Sequence, residues 1–204
     1  MGNQPDAVSA HFARAAERFE TSPISLQLAE MADKLTARLQ TAANDHWLDF
    51  GAGTGVLSAP LARKVARVTA LDTSAAMLAR ISEKQVANIE TLNRNIFCGL
   101  PQRYNGIVSS MALHHVADTA GLLECMHANL LPGGQIALID LYAEDGSFHG
   151  DNEGKGVKHL GFDPELLQKQ ARQAGFRDVE LSEFFHIRHR NGRSYPLFLL
   201  RGRI

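Results

Sequence analysis

Two cysteines, one tryptophan and three tyrosines in 204 residues leave little with which to staple a small extracellular fold. Cys98 and Cys125 lie 27 positions apart with no C-x-x-C pair, which excludes a disulfide framework and a cysteine-rich zinc module and suits a reducing compartment. No apolar run approaches the ~18 residues that would span a bilayer, so no membrane partner is expected. Charge excess is missing too: 21 Lys and Arg stand against 22 Asp and Glu, for a formal charge of −1. A chain that held a polyanion by counterion release would carry a basic surplus, so the balance speaks against nucleic acid. Met1-Gly2 is followed by Asp6 where a myristoylation pattern needs Ser or Thr, and no signal-peptide core follows; a cytoplasmic location is the expectation. Oligomeric state has no signature. What the chain does have is 45% apolar residues, enough for the core of one domain, and nine histidines.

The first 45 residues read as two helices. Val8, Phe12, Ala15/Ala16 and Phe19 recur at helical spacing, and Thr21-Ser22-Pro23 interrupts the pattern. Ser22 is placed to cap a second helix with Pro23 at its first position. Ile24, Leu28, Met31, Leu35 and Leu39 then form an amphipathic stripe. From His46 the pattern changes to short apolar runs: Trp47 to Phe50, Val65 to Leu71, Ile89 to Leu92, Ile107 to Met111 and Ile136 to Leu141. Helical stretches fall between them at Leu57 to Val65, Ser74 to Ser82 and Thr119 to Leu131, with Pro132-Gly133-Gly134 as the stop. Buried strands alternating with helices predict a parallel sheet covered on both faces. Asp163-Pro164 opens one more helix that Gly175 ends, and Val179 to Ile187 and Tyr195 to Leu200 flank Asn191-Gly192, a hairpin signal.

The segment Asp49-Phe50-Gly51-Ala52-Gly53-Thr54-Gly55-Val56 lies where the first strand passes into a helix. Glycines at 51, 53 and 55 allow a sharp turn and close approach of a ligand to the backbone and the helix N-terminus. A dinucleotide fingerprint would place its third glycine or alanine at 56, where Val56 stands, so a nicotinamide oxidoreductase is disfavoured. Asp72 closes the second strand, where a carboxylate can accept both hydroxyls of a ribose.

Together with Ala70 to Ser74, Ile107 to Val116 and Leu130 to Gly134, this segment resembles the ordered motifs of class I S-adenosylmethionine-dependent methyltransferases. The resemblance implies a Rossmann-like α/β fold: a seven-stranded, mostly parallel sheet with an antiparallel C-terminal edge hairpin, in three α/β/α layers. Residues 1–45 would form an N-terminal helical lid and residues 46–204 the cofactor-binding domain. It also implies S-adenosylmethionine as cofactor and S-adenosylhomocysteine as product. Gly51, Ala52 and Gly53 would line the methionine part, and Asp49 would hold its amino group directly or through water. Asp72 would bind the ribose, Thr73 and Met77 would border the adenine, and Ser110 belongs to the motif after the fourth strand. Asn95, followed by Ile96, stands where the family usually has an Asp that accepts from the adenine amino group; an amide oxygen accepts the same bond without charge. Asn105-Gly106 departs from the family's acid and apolar residue, and Gly106 should weaken the fourth strand and allow close backbone approach.

Methyl transfer needs no acid for its leaving group, and it needs a base only where the nucleophile carries a proton. Candidates should lie at the carboxyl ends of strands four and five. His114-His115 follows the fourth strand, and a polar, glycine-rich stretch running to Lys158-His159 follows the fifth. His114, His115, His149 and His159 could thus converge on one mouth, and His115 and His149 are the candidate bases. His149, Asp151 and His159 have the chemistry of metal ligands but no regular ligand spacing, so no metal site is read. The expected function is methyl transfer to a small-molecule acceptor. A methyltransferase for protein or RNA and a non-catalytic cofactor-binding module remain as alternatives.

Overall fold

A computed structural model describes residues 22–204. The helix expected around Val8 to Phe19 lies outside the described residues. Ser22 caps α1 (Pro23–Arg38) by accepting from the Ser25 N–H at 3.1 Å, with Pro23 in the first turn as expected. Leu28, Met31, Leu35 and Leu39 of the predicted stripe are buried, with Ala32 beside them. Gln27 locks the helix to the last hairpin, donating to Arg188 O (3.0 Å) and accepting from Arg188 N (2.8 Å).

The remaining elements are β1 (His46–Phe50), α2 (Ser58–Ala62), β2 (Arg67–Asp72), α3 (Ala75–Glu83), β3 (Ile89–Asn93), β4 (Tyr104–Ser110), α4 (Thr119–Ala128), β5 (Leu130–Leu141), α5 (Pro164–Gln173), β6 (Arg177–Arg188) and β7 (Ser194–Arg203). They build one seven-stranded sheet in the order β3-β2-β1-β4-β5-β7-β6. All pairings are parallel except β5–β7 and β6–β7. The seven-stranded Rossmann-like sheet with its C-terminal antiparallel hairpin is therefore present, with β6 at the edge.

Side-chain alternation divides the core between the two faces. Trp47, Val68, Val108, Ala137, Ile139 and Leu197 face α1 and α2, whereas Leu48, Leu71, Ile107, Ile136, Leu138 and Phe198 lie with residues of α4 and α5. Both sets are buried because the crossover helices cover both faces.

Two helix limits differ from expectation. α2 stops at Ala62, where the Asn88 side chain takes the Ala62 and Val65 carbonyls (2.8 and 3.1 Å) and turns the chain toward β2. α4 stops at Ala128, ahead of the Pro-Gly-Gly signal, because Leu130 already pairs with Tyr104 of β4.

Gly106 does allow a close approach, but by the core rather than a ligand. A Cβ there would overlap the buried Trp47 ring, with Cε3 at 2.5 Å. Gly106→Ala should therefore destabilise the fold by about 1–3 kcal/mol through overpacking. Urea denaturation measures this, and an unchanged midpoint would show that the Trp47 ring has room to move.

Candidate active site

The loop after β1 turns through Gly51, Gly53 and Gly55 at φ of 66°, 53° and 81°, a region most side chains avoid. Each glycine has a different neighbour. A Cβ on Gly51 would collide with Ala112 Cβ, in the loop after β4, and one on Gly55 would lie 3.0 Å from Ile81 of α3. Nothing lies within 4 Å of a Cβ built on Gly53, so the middle glycine presents its backbone to open space.

Asp72 holds that middle glycine. Its Oδ2 accepts from Gly53 N and its Oδ1 from Ser74 N, both at 2.8 Å, and each oxygen retains a lone pair for a further donor. Burial pushes the Asp72 carboxyl up, against the backbone N–H groups of Ser74, Gly53 and Thr73. Beneath the loop, Asp49 is almost inaccessible and accepts one bond from the Ser58 hydroxyl at 2.5 Å. Its carboxyl is pushed up to about 7: burial dominates, the Ser58 hydroxyl opposes it, and the charge of Asp72 adds to it. The neighbouring Thr54 Oγ1 is buried without a hydrogen-bond partner among the described residues.

The carboxyl edge of the sheet lines up the other sequence-derived candidates in strand order. Asn95, after β3, is exposed, and its Oδ1 caps the short helical turn Ile96–Cys98 by accepting from Phe97 N at 3.0 Å. Ile96 is buried, as is Met77 in the first turn of α3; Thr73 is exposed beside Asp72, and Ser110 is half-buried at the end of β4.

Beyond Ser110 the chain enters a short turn, Leu113–His115, that carries two histidines. His114 is fully buried: its Nδ1 lies 2.7 Å from Asp140 Oδ1, and its backbone N–H donates to Asp140 Oδ2 at 3.2 Å. Its Nε2 lies 3.0 Å from His149 Nε2. His115 places Nδ1 3.2 Å from the Gly156 carbonyl. For Asp140, burial pulls the carboxyl upward, but the His114 charge, its imidazole hydrogen bond and the N–H groups of Leu141 and His114 outweigh it, and the net direction is down. His149 is pushed down to about 3, first by burial and then by the neighbouring His114 and His115.

His149 reaches this cluster because its loop is pinned at several points. The His114 carbonyl accepts from Lys158 N and His159 N (2.8 and 3.1 Å), and Phe148 is buried against the core. At the outer end, Asp145 and Ser147 bind Arg193 and Tyr195 of the hairpin. His159 turns away, with Nε2 3.0 Å from Val116 O, and Asp151 accepts from Gly154 N at 2.9 Å. The grouping of His149 with Asp151 and His159 is thus not assembled; His114, His115 and His149 come together instead.

Residues 24–189 match the model of the methyltransferase domain family. The chain belongs to that family. An uncharacterized methyltransferase of Mycobacterium tuberculosis is 38% identical over 96 residues, covering 45% of this chain and 48% of the relative. The ubiquinone biosynthesis O-methyltransferase of Methylocella silvestris is 36% identical over 92 residues, covering 43% of this chain and 36% of that protein. The chain thus spans about half the length or less of these curated relatives. Among solved structures, a DhpI–SAH complex superposes with a TM-score of 0.75 at 18% identity, covering 97% of this chain and 95% of the other. At that identity the likeness concerns the fold. No helix among the described residues of this methyltransferase domain is long and apolar enough to cross a membrane.

Three polar residues of the site carried no strong sequence signal. Ser58 sits nine positions after Asp49 with no motif between them, and Asp140 looks like an ordinary strand-end acid. His114 was legible as one of four histidines, with His115, His149 and His159, that follow the fourth and fifth strands, but nothing in the sequence marked it as the buried member paired with Asp140.

Asp49 gives the methyltransferase domain a pH signature. Its folded pKa near 7 lies above the ordinary 3.8, so between pH ~4 and ~7 the folded state holds a proton that the unfolded chain releases. Stability is therefore lost as pH rises through that window, by at most about 1.4 kcal/mol per pH unit. Asp49→Asn should flatten this slope relative to the parent in urea denaturation at pH 5 and pH 7; parallel slopes would show that Asp49 ionises normally.

Proposed function

We propose that this chain transfers a methyl group from S-adenosylmethionine to a small-molecule acceptor and releases S-adenosylhomocysteine. The observation that carries the reading is the open backbone at Gly53, held by Asp72 in the loop that follows the buried Asp49 of β1. The donor set fits such a group. Gly51, Ala52 and Gly53 would line its methionine part, Asp49 would take its amino group directly or through water, and Asp72 would accept from its ribose hydroxyls. Thr73, Met77, Asn95 and Ile96 would border the adenine, and Ser110 would close the site from β4. The cofactor supplies a methyl group already activated on a sulfonium.

The residues of the chain then have to orient the acceptor, exclude water and take a proton where the nucleophile carries one. His115, after β4, and His149, which the 141–162 loop brings to it, are the proposed proton acceptors. Within these 204 residues, acceptor choice falls to the N-terminal segment 1–45, of which α1 packs on the sheet, and to the loop at 141–162. Near-zero net charge and the likeness to an enzyme named for ubiquinone biosynthesis support a small acceptor over nucleic acid. Two cysteines without a disulfide support a cytoplasmic setting.

Calorimetric titration with S-adenosylmethionine, S-adenosylhomocysteine and NAD tests the cofactor. The first two should bind, and Asp72→Ala should weaken binding by about 1–3 kcal/mol through the lost ribose hydrogen bonds. Binding of NAD alone would overturn the reading.

The acceptor side is tested by transfer of label from methyl-labelled S-adenosylmethionine to a panel of phenols, carboxylic acids and amines. With whichever acceptor the parent turns over, His115→Asn and His149→Asn should each lower the rate by about 10²-fold or more while leaving cofactor affinity within a factor of two. Full turnover in both would remove histidine from the chemistry.

A further inference from the structure

The three histidines at the carboxyl end of β4 are organised beyond what a proton acceptor requires. One ring nitrogen from each of His114, His115 and His149 lies within 4.8 Å of the other two, a grouping that no other set of His, Cys, Asp and Glu among the described residues forms. Two of the rings present their second nitrogen to an acceptor: His114 Nδ1 to the Asp140 carboxylate at 2.7 Å and His115 Nδ1 to the Gly156 carbonyl at 3.2 Å. An imidazole that donates through Nδ1 turns its Nε2 lone pair outward, and a carboxylate or backbone carbonyl behind a histidine is the outer-shell arrangement of ligating histidines. At His114 that Nε2 lies 3.0 Å from His149 Nε2.

We propose that His114, His115 and His149 bind a divalent transition-metal ion, with zinc as the reference ion and Asp140 as the group that orients His114. An imidazole-only donor set suits zinc, cobalt, nickel or copper and not magnesium or calcium, which take oxygen ligands. Zinc–nitrogen bonds of 2.0–2.1 Å put tetrahedral ligands about 3.3 Å apart. His114 and His149 already stand near that spacing. Drawing the whole set together from within 4.8 Å takes a shift of about 1.5 Å in the ligand atoms. On binding, the proton between the two facing Nε2 atoms moves to His149 Nδ1, or leaves to solvent where His114 is protonated, so that both ligands are neutral imidazoles.

Three protein ligands leave the fourth tetrahedral position open, the pattern of catalytic rather than structural zinc. That position suits water or the hydroxyl or thiol of an acceptor, whose proton the metal would make easier to lose. The metal site does not depend on the methyl-transfer reading, and its test is independent of turnover.

The full chain, freed of metal by chelator dialysis, is titrated by calorimetry with Zn²⁺ and separately with Mg²⁺, and its Co²⁺ form is read by visible absorption. The expected result is one Zn²⁺ per chain, intense absorption bands of tetrahedral Co²⁺, and no Mg²⁺ uptake. His149→Asn, at a half-exposed position, should weaken Zn²⁺ at least tenfold, and Asp140→Asn about 10–100-fold. His186→Asn, on the distant edge strand β6, should bind as the parent does. Should Asp140→Asn fail to fold, His149→Asn decides alone, with circular dichroism as its folding control. Absence of stoichiometric Zn²⁺ uptake, or uptake unchanged in His149→Asn, would overturn the proposal. Affinity of His149→Asn for S-adenosylmethionine, measured in parallel, keeps the two readings apart, because each can fail while the other stands.

Discussion

The carboxyl ends of β1 and β4 meet at a place where no side chain fits. Gly51, at positive φ, lies so close to Ala112 that a Cβ on it would overlap the alanine methyl. That contact sits where the strand order reverses, between β1 and β4, and where the connections leave toward opposite faces of the sheet. Because the two loops touch there, the loop that bears the bare backbone at Gly53 and the loop that bears the histidines after Ser110 start from one junction. A bulkier residue at 51 would part the loops and separate the two halves.

Burial alone does not determine how a carboxylate behaves, and this site holds two carboxylates that demonstrate it. Asp49 and Asp140 are both inaccessible to solvent. Asp49 has the hydroxyl and backbone N–H of Ser58 to set against burial and the unfavourable charge of Asp72, so desolvation wins and its carboxyl rises. Asp140 faces the His114 imidazole and two backbone N–H groups, so pairing wins and its carboxyl falls. One acid is left poised to gain from a cationic partner, and the other is already committed to orienting His114.

Much of the fold was legible from local signals. The caps at Ser22 and Asp163, the alternation of buried runs with helices, and the turn at Asn191-Gly192 each report on a few neighbouring residues, and each stands in the structure where the pattern placed it. Elements ended elsewhere where distant partners intervened, as Asn88 does for α2 and Tyr104 for α4. Gly106 was readable as a place of close approach, but that the visitor is Trp47 depends on β1 and β4 being neighbours. Among the histidines, adjacency in sequence drew attention to the pair after β4, whereas the partner of His114 lies 26 positions away on β5 and its second neighbour 35 positions away.

By itself the sequence determined the glycine-loop half of the candidate site, because a glycine turn, a strand-end acid and the strand–helix order are short-range features that a few neighbouring residues specify. Tertiary structure decided which of the histidines that follow the fourth and fifth strands meet: His114, His115 and His149 do, and His159 does not. Strand pairing brings Asp140 behind His114, and burial of Phe148 in the core delivers His149 to them. Those contacts join residues with no common period or motif, so only the closing of the 141–162 loop over the sheet reveals which of nine histidines stand together.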